Sequence, residues 1–198
     1  MASPDGAIAL VTAVVKDLED PEGLGRVRVE YPHLNNEVSD PCSLVTPMAG
    51  PERGIFFKPE PGDVVLVGFE FNDRRRAFIL GSIWSTVDKP PPRASEEPKK
   101  NNLRFIHTRS GHVLRFDDTP DKEKIEIVDQ SGELTIVLDS AAKKIQVINT
   151  SGDVEISATK GTVKIDAQQI EIGATTTMSL TAGNALTIKG ATVGINDP

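Results

Sequence analysis

Cysteine is almost missing from this chain: Cys42 stands alone among 198 residues. No intrachain disulfide can form, and a single thiol suits assembly in a reducing compartment, where it is expected to be buried. Aromatic residues are sparse, at 5% of the chain. Positive charge is outweighed, with 22 Lys and Arg against 29 Asp and Glu, a net charge of −7 and a pI near 5.0. That balance argues against a general binder of nucleic acid or of anionic membranes. The longest apolar run, residues 7–15, is interrupted by Thr12 and falls far short of the roughly 20 residues of a membrane-spanning helix. The first ten residues have no basic region and carry Asp5, so no signal peptide is expected, and the product is expected to be soluble and made in the cytoplasm. Glycine-rich phosphate loops and a Gly-x-Ser-x-Gly nucleophile elbow are both lacking, so the expectation is a non-enzymatic protein without a cofactor or a bound metal.

What the chain does have is Val, Ile, Thr and Gly, the composition of an all-β protein. Between residues 125 and 195 a short unit recurs nine times, two apolar residues flanking one that is usually polar. The pairs are Ile125/Ile127, Leu134/Ile136, Ile145/Val147, Val154/Ile156, Val163/Ile165, Ile170/Ile172, Met178/Leu180, Leu186/Ile188 and Val193/Ile195. Alternation of this kind is the period of a strand. Turn formers separate the units, among them Gln130-Ser131-Gly132, Thr150-Ser151-Gly152, Thr159-Lys160-Gly161 and Ala182-Gly183-Asn184. The start-to-start intervals are 9, 11, 9, 9, 7, 8, 8 and 7 residues. A hairpin meander has intervals of this size, but it leaves each strand half covered and two edges open. A β-helix, in which each rung buries its pair against the rungs above and below, is the preferred reading.

One such ribbon offers only two inward side chains per unit and cannot enclose a dry core by itself. Either three units make one coil of roughly 25 residues in a monomeric solenoid, or three chains wind about one axis and each supplies a face. Nine units would give only three monomeric coils, and no capping element is visible at the C-terminal end. The expectation is therefore an obligate homotrimer, with the sixteen residues from Ile125 to Ile188 in the first eight pairs as its core. After Gly173 the only charged residues are Lys189 and Asp197, and small residues fill the turns, which predicts a shaft that tapers towards Pro198. A frayed terminus is the plainer reading, but the apolar pairing persists to Val193/Ile195.

The first half reads as five strands, at 7–15, 26–31, 42–46, 63–71 and 77–84, with no convincing helix, which suggests a small closed barrel of the oligonucleotide/oligosaccharide-binding (OB) type. In the second, Val27, Val29 and Tyr31 alternate with Arg26, Arg28 and Glu30 as in a half-buried strand. A linker with Pro90-Pro91-Pro92 and Pro98 follows. Two further strands, 103–107 and 112–116, lead into the repeat. The expected domains are a barrel over 1–88, a linker over 89–102 and a needle over 103–198.

Five pieces in this order carry a resemblance to a known family: Gly25-Arg26-Val27-Arg28-Val29 with Tyr31-Pro32; Pro61-Gly62-Asp63-Val64-Val65-Leu66-Val67-Gly68-Phe69; Phe78-Ile79-Leu80-Gly81-Ser82-Ile83-Trp84; Thr108-Arg109-Ser110-Gly111-His112; and Phe116-Asp117-Asp118-Thr119. With a β-prism repeat behind them, the chain resembles the central spike of contractile injection machines, meaning baseplate protein V of phage tails and the valine-glycine-repeat (VgrG-like) spikes of type six secretion. The resemblance implies a homotrimer with an OB collar seated on a baseplate hub protein. It also implies a needle driven through a target membrane, and a PAAR-like cap protein, with effector cargo, at a tip formed by Val193, Ile195, Asn196, Asp197 and Pro198. The particle would be phage tail-like or a secretion apparatus, assembled in the bacterial cytoplasm.

The chain also departs from that family. Residues 88–102 have no room for the lysozyme domain of some spikes, and only about six residues precede the first strand, so the hub is expected to be a separate chain. The histidines are His33, His107 and His112, none near the tip, so the His-x-His iron site of some phage spikes is not expected.

Other candidates have ordinary readings. Asp117, Asp118, Asp121 and Glu123 lack the glycine and ligand alternation of a calcium loop and read as a solvated turn. His107 and His112 have no further ligand at metal spacing and read as structural hydrogen bonders. Arg74-Arg75-Arg76 is the one basic cluster; Phe69 and Phe71 beside it read as core-facing, so a surface turn or an acidic protein partner is preferred over nucleic acid. The competing function is an OB module binding single-stranded nucleic acid or a glycan on a trimeric stalk.

Overall fold

The computed structural model describes residues 10–91 and 99–194. It divides into two compact units, Met1–Ser151 and Gly152–Pro198. The first unit holds every strand among the described residues.

Its N-terminal part is a curled six-stranded sheet. β1 (Leu10–Asp17), β2 (Arg28–Tyr31), β3 (Glu37–Val38), β4 (Ser43–Leu44), β7 (Val64–Phe69) and β8 (Ala77–Ser82) lie in the order β3-β2-β1-β7-β8-β4. All neighbours are antiparallel except β4 and β8. Val27 and Cys42 exchange both backbone hydrogen bonds, 3.1 and 2.8 Å, so the chain entering β4 is tied to the chain entering β2 and the sheet curls back on itself.

The alternation legible in the sequence is realised here. Val27, Val29 and Tyr31 are buried together with Val65, Val67, Phe69, Ala13, Val15 and Ile79. Full burial of each valine contributes about 1.5–3 kcal/mol, which makes this cluster the main stabilising element of the barrel. Cys42 lies within it as a free thiol. Gly25, in the turn before β2, has φ +77°, and a Cβ there would sit 2.8 Å from the Phe56 ring. Only glycine allows both that backbone and that ring.

Three features differ from the sequence expectation. The short β3 was not among the five expected strands. Residues 49–54, also outside them, form a small hairpin of β5 (Ala49–Gly50) and β6 (Arg53–Gly54). The strand expected to run to residue 71 ends at Phe69 and passes into a 3-10 turn, Glu70–Asn72, in which Phe71 has φ +50°.

β9 (Leu103–His107), β10 (Val113–Asp117), β11 (Lys124–Val128), β12 (Leu134–Asp139) and β13 (Lys144–Asn149) form a second sheet in which each strand pairs antiparallel with its neighbours in sequence. The first three apolar units are therefore strands of a meander, where the sequence favoured rungs of a β-helix. The turns decide this. Asp129 accepts hydrogen bonds from the backbone N–H of Ser131 and of Leu134, at 3.0 and 2.9 Å, and Gly132 takes φ +78°. That pattern reverses the chain completely, whereas a rung needs only a corner.

In the second unit, residues 152–194 carry no strand, and every one of them is exposed in the single chain. The six remaining apolar pairs lie in this unit, apart from Ile195, which falls outside the described residues with Asn196, Asp197 and Pro198. Residues 92–98 of the expected linker and the first nine residues also fall outside them.

Candidate functional site

Residues directly opposite one another in an antiparallel ladder share a face, so the register of the meander assigns its two faces. One face carries the rows Ile106-Leu114-Ile127-Ile136-Val147 and Phe116-Ile125-Leu138-Ile145, with Leu134 at the margin. All six expected core residues of this segment, Ile125, Ile127, Leu134, Ile136, Ile145 and Val147, are on it. Eight of its large apolar side chains are exposed, from Ile136 at 40% to Ile145 at 74%. Five strands span roughly 19 Å at about 4.8 Å spacing, so this is a broad apolar surface open to water.

Ile106, Leu114, Phe116 and Leu138 complete this face and were not among the expected core residues. Period-two spacing marks three of them, at 114/116 and at 134/136/138, but the repeat as defined began at Ile125 and took one pair per strand; Ile106, between Arg104 and Thr108, has no such partner.

The opposite face is mixed: Phe105, Val113, Val128, Val137 and Ile148 lie on it around a satisfied ion-pair network. Glu126 accepts from Arg115 Nε at 2.7 Å, pairs with its Nη2 as well, and meets Lys124 at 3.1 Å. Burial would push the Glu126 carboxyl up, but these bonds outweigh it and hold it below the ordinary range. Asp129 is held down to about 2, chiefly by the Ser131 hydroxyl and then by backbone N–H groups.

The expected apolar pairs of the second unit remain open: Val154, Ile156, Val163, Ile165, Ile170, Ile172, Met178, Leu180, Leu186, Ile188 and Val193 are each about half exposed or more. The single chain supplies nothing to cover them.

The remaining candidates resolve individually. His112 Nδ1 accepts the Gln130 N–H at 3.2 Å, a structural role that fixes the hairpin ends. Asp117 caps the Thr119 N–H at 3.0 Å, and Asp118 pairs with Arg104. Among the described residues no cluster of three or more His, Cys, Asp or Glu is arranged to hold a metal ion. Each arginine of the basic cluster has an acidic partner in the same chain: Arg74 with Glu37 at 2.9 Å, Arg75 with Asp73 at 3.2 Å and Arg76 with Glu70 at 2.6 Å. Phe69 is buried as expected, but Phe71 is 88% exposed, which corrects its reading as a core residue. Its left-handed backbone costs an ordinary L-residue about 1–2 kcal/mol. Asn72 after it, also at positive φ, was the only sequence signal for that turn.

Residues 11–84 match the family described as the type VI secretion system/phage-baseplate injector OB domain. The barrel is thus similar to the OB domain of baseplate and injector proteins, and this supports a structural role in a baseplate. Comparison of the whole chain with curated proteins gave no match. Among the described residues no helix is long and apolar enough to cross a membrane.

Proposed function

We propose that this chain is a non-enzymatic, membrane-piercing spike of a contractile injection machine and that three copies form one needle. In this reading the barrel docks on a baseplate hub, the uncovered meander face meets its equivalents in two other copies, and residues 152–194 wind into a β-helical shaft. The tip region from Val193 to Pro198 then carries a PAAR-like cap protein and cargo. The homotrimeric core is the set of apolar pairs from Ile125/Ile127 to Leu186/Ile188.

One observation carries the proposal. Eight of the ten side chains of the meander's apolar face, and the apolar pairs of residues 152–194, are exposed in the isolated chain. Apolar area of this extent contributes about 25 cal/mol per Å² once covered, so a chain that leaves it in water is incomplete alone. The match of the barrel to the injector family supports the machine assigned. Light scattering of the full chain at low micromolar concentration tests the proposal: a stable three-chain rod is expected, and a folded monomer would overturn it.

A further inference from the structure

The β7–β8 loop holds an aromatic side chain in a position that folding of this chain does not explain. Phe71 is 88% exposed and adopts φ +50°, and Asn72 follows at φ +61°. A bulky residue avoids this backbone region, and burial gives Phe71 no compensation. The loop is nevertheless well determined. Glu70 N–H donates to Arg76 C=O, Asp73 N–H to Glu70 C=O and Arg76 N–H to Asp73 C=O, each at 2.9 Å. Arg74 ties it to Glu37 in β3, next to a second tight turn with Asn35 and Asn36 also at positive φ. Phe71 is therefore held out on a braced support.

The surroundings define what it fits. The three arginines beside it are matched by Glu37, Asp73 and Glu70, so the rim is polar but carries no unmatched charge. An aromatic anchor ringed by satisfied polar groups is the arrangement of a protein-binding hot spot, and its rigidity lowers the ordering cost of binding. Nucleic acid is the poorer partner, because three carboxylates stand beside those arginines and the chain carries a net charge of −7.

The position selects among protein partners. The meander adjoins the barrel at the end where β7 starts and β8 finishes: Arg109 meets Glu60 at 3.0 Å, and Trp84 shares a cavity of about 990 Å³ with Leu103 and Phe105. Phe71 lies past the other end of β7, five residues and roughly 17 Å along the strand. Copies that meet through the meander face therefore meet at the opposite end of the barrel.

We infer that Phe71 is the anchor by which the barrel engages the baseplate hub, inserting into an uncharged apolar pocket of that protein. This rests on the proposed baseplate role and assigns it to a residue.

The test is calorimetric binding of the full chain to the purified hub protein of the same particle, for wild type, Phe71→Ala, Phe71→Gly and Arg75→Ala, with light scattering of each variant alone. Loss of at least about tenfold in affinity for both Phe71 variants, with Arg75→Ala within about twofold and the oligomeric state unchanged, is the expected result. Phe71→Gly suits the left-handed backbone, so its melting temperature stays level or rises and misfolding cannot account for the loss. Affinity unchanged in both Phe71 variants overturns the anchor while leaving hub docking intact. A wild type that ignores the hub overturns both. An oligomeric state altered by Phe71→Ala alone assigns the residue to a second copy and overturns the hub as its partner.

Discussion

Arg115 and Glu126 stand directly opposite each other in β10 and β11, and both Nε and Nη2 of the guanidinium point at the same carboxylate oxygen. Glu126 is the most buried charged residue of the meander, and the pair fixes the strand register on the face opposite the apolar one. Arg115→Met leaves that carboxylate with Lys124 alone at 3.1 Å. Breaking a fully buried pair costs roughly 3–5 kcal/mol; with Lys124 in place the expected loss is about 2 kcal/mol. The double variant Arg115→Met with Glu126→Leu recovers most of it, because no buried charge remains. Thermal melts of the four proteins at one fixed concentration check the cycle.

Acid should loosen the meander, and the barrel with it, since Asp20 and Asp73 there are likewise held low by Arg26 and Arg75. Glu126 and Asp129 both have carboxyls depressed in the folded chain. A depressed carboxyl contributes stability that is present above its unfolded pKa and is lost as pH falls through the folded one. For Asp129 the window runs from the ordinary value of 3.8 down to about 2. Melting temperature recorded from pH 7 to pH 2 should hold level to about pH 5 and fall below pH 4, and Asp129→Asn should flatten that fall.

Charge placed on the apolar face should prevent assembly without unfolding the barrel. Ile136→Asp and Ile127→Asp each put a carboxylate at the centre of the uncovered surface. With about 1.5–3 kcal/mol lost per isoleucine per chain and three chains affected, the three-chain species is expected to disappear. Mass photometry reads that loss. Ile148→Asp, on the opposite face in the edge strand β13 and across from Thr135, is the control and should retain it.

The Cys42 thiol should be silent in the native protein. It is 1% exposed, and burial pushes its ionisation up. Since the thiolate is the reactive form, a disulfide reagent at neutral pH should label it only after denaturant is added. Rapid labelling of the native chain would contradict the packed core in which Cys42 lies.

How much of this was legible beforehand depends on what each residue reports. The alternation of Val27, Val29 and Tyr31, and of Val65, Val67 and Phe69, marks inward positions, and the barrel core is built from them. The same alternation misleads at Phe71, because a period says nothing about where a strand ends; there the chain enters the left-handed region. The β5–β6 hairpin has two residues per strand and no apolar pattern, so it left no period to find. In the meander, Ile125, Ile127, Leu134, Ile136, Ile145 and Val147 were placed on one face by their spacing alone. Their pairing partners were not, since an apolar pair every nine residues suits a hairpin and a rung equally. The turn at Asp129 and Gly132 carried that information, in hydrogen bonds that only coordinates display.

Among the described residues the last backbone ladder closes where Thr150 N–H meets Glu133 C=O, one residue before the first compact unit ends. Translation therefore delivers a head with its strands paired ahead of a tail in which residues 152–194 carry no strand. In the proposed needle, order of synthesis becomes order of construction: heads gather first, and the tails zip together from the head outwards, already in phase. Subunits of a completed needle should accordingly never exchange, because release would require unzipping all three tails back to the head.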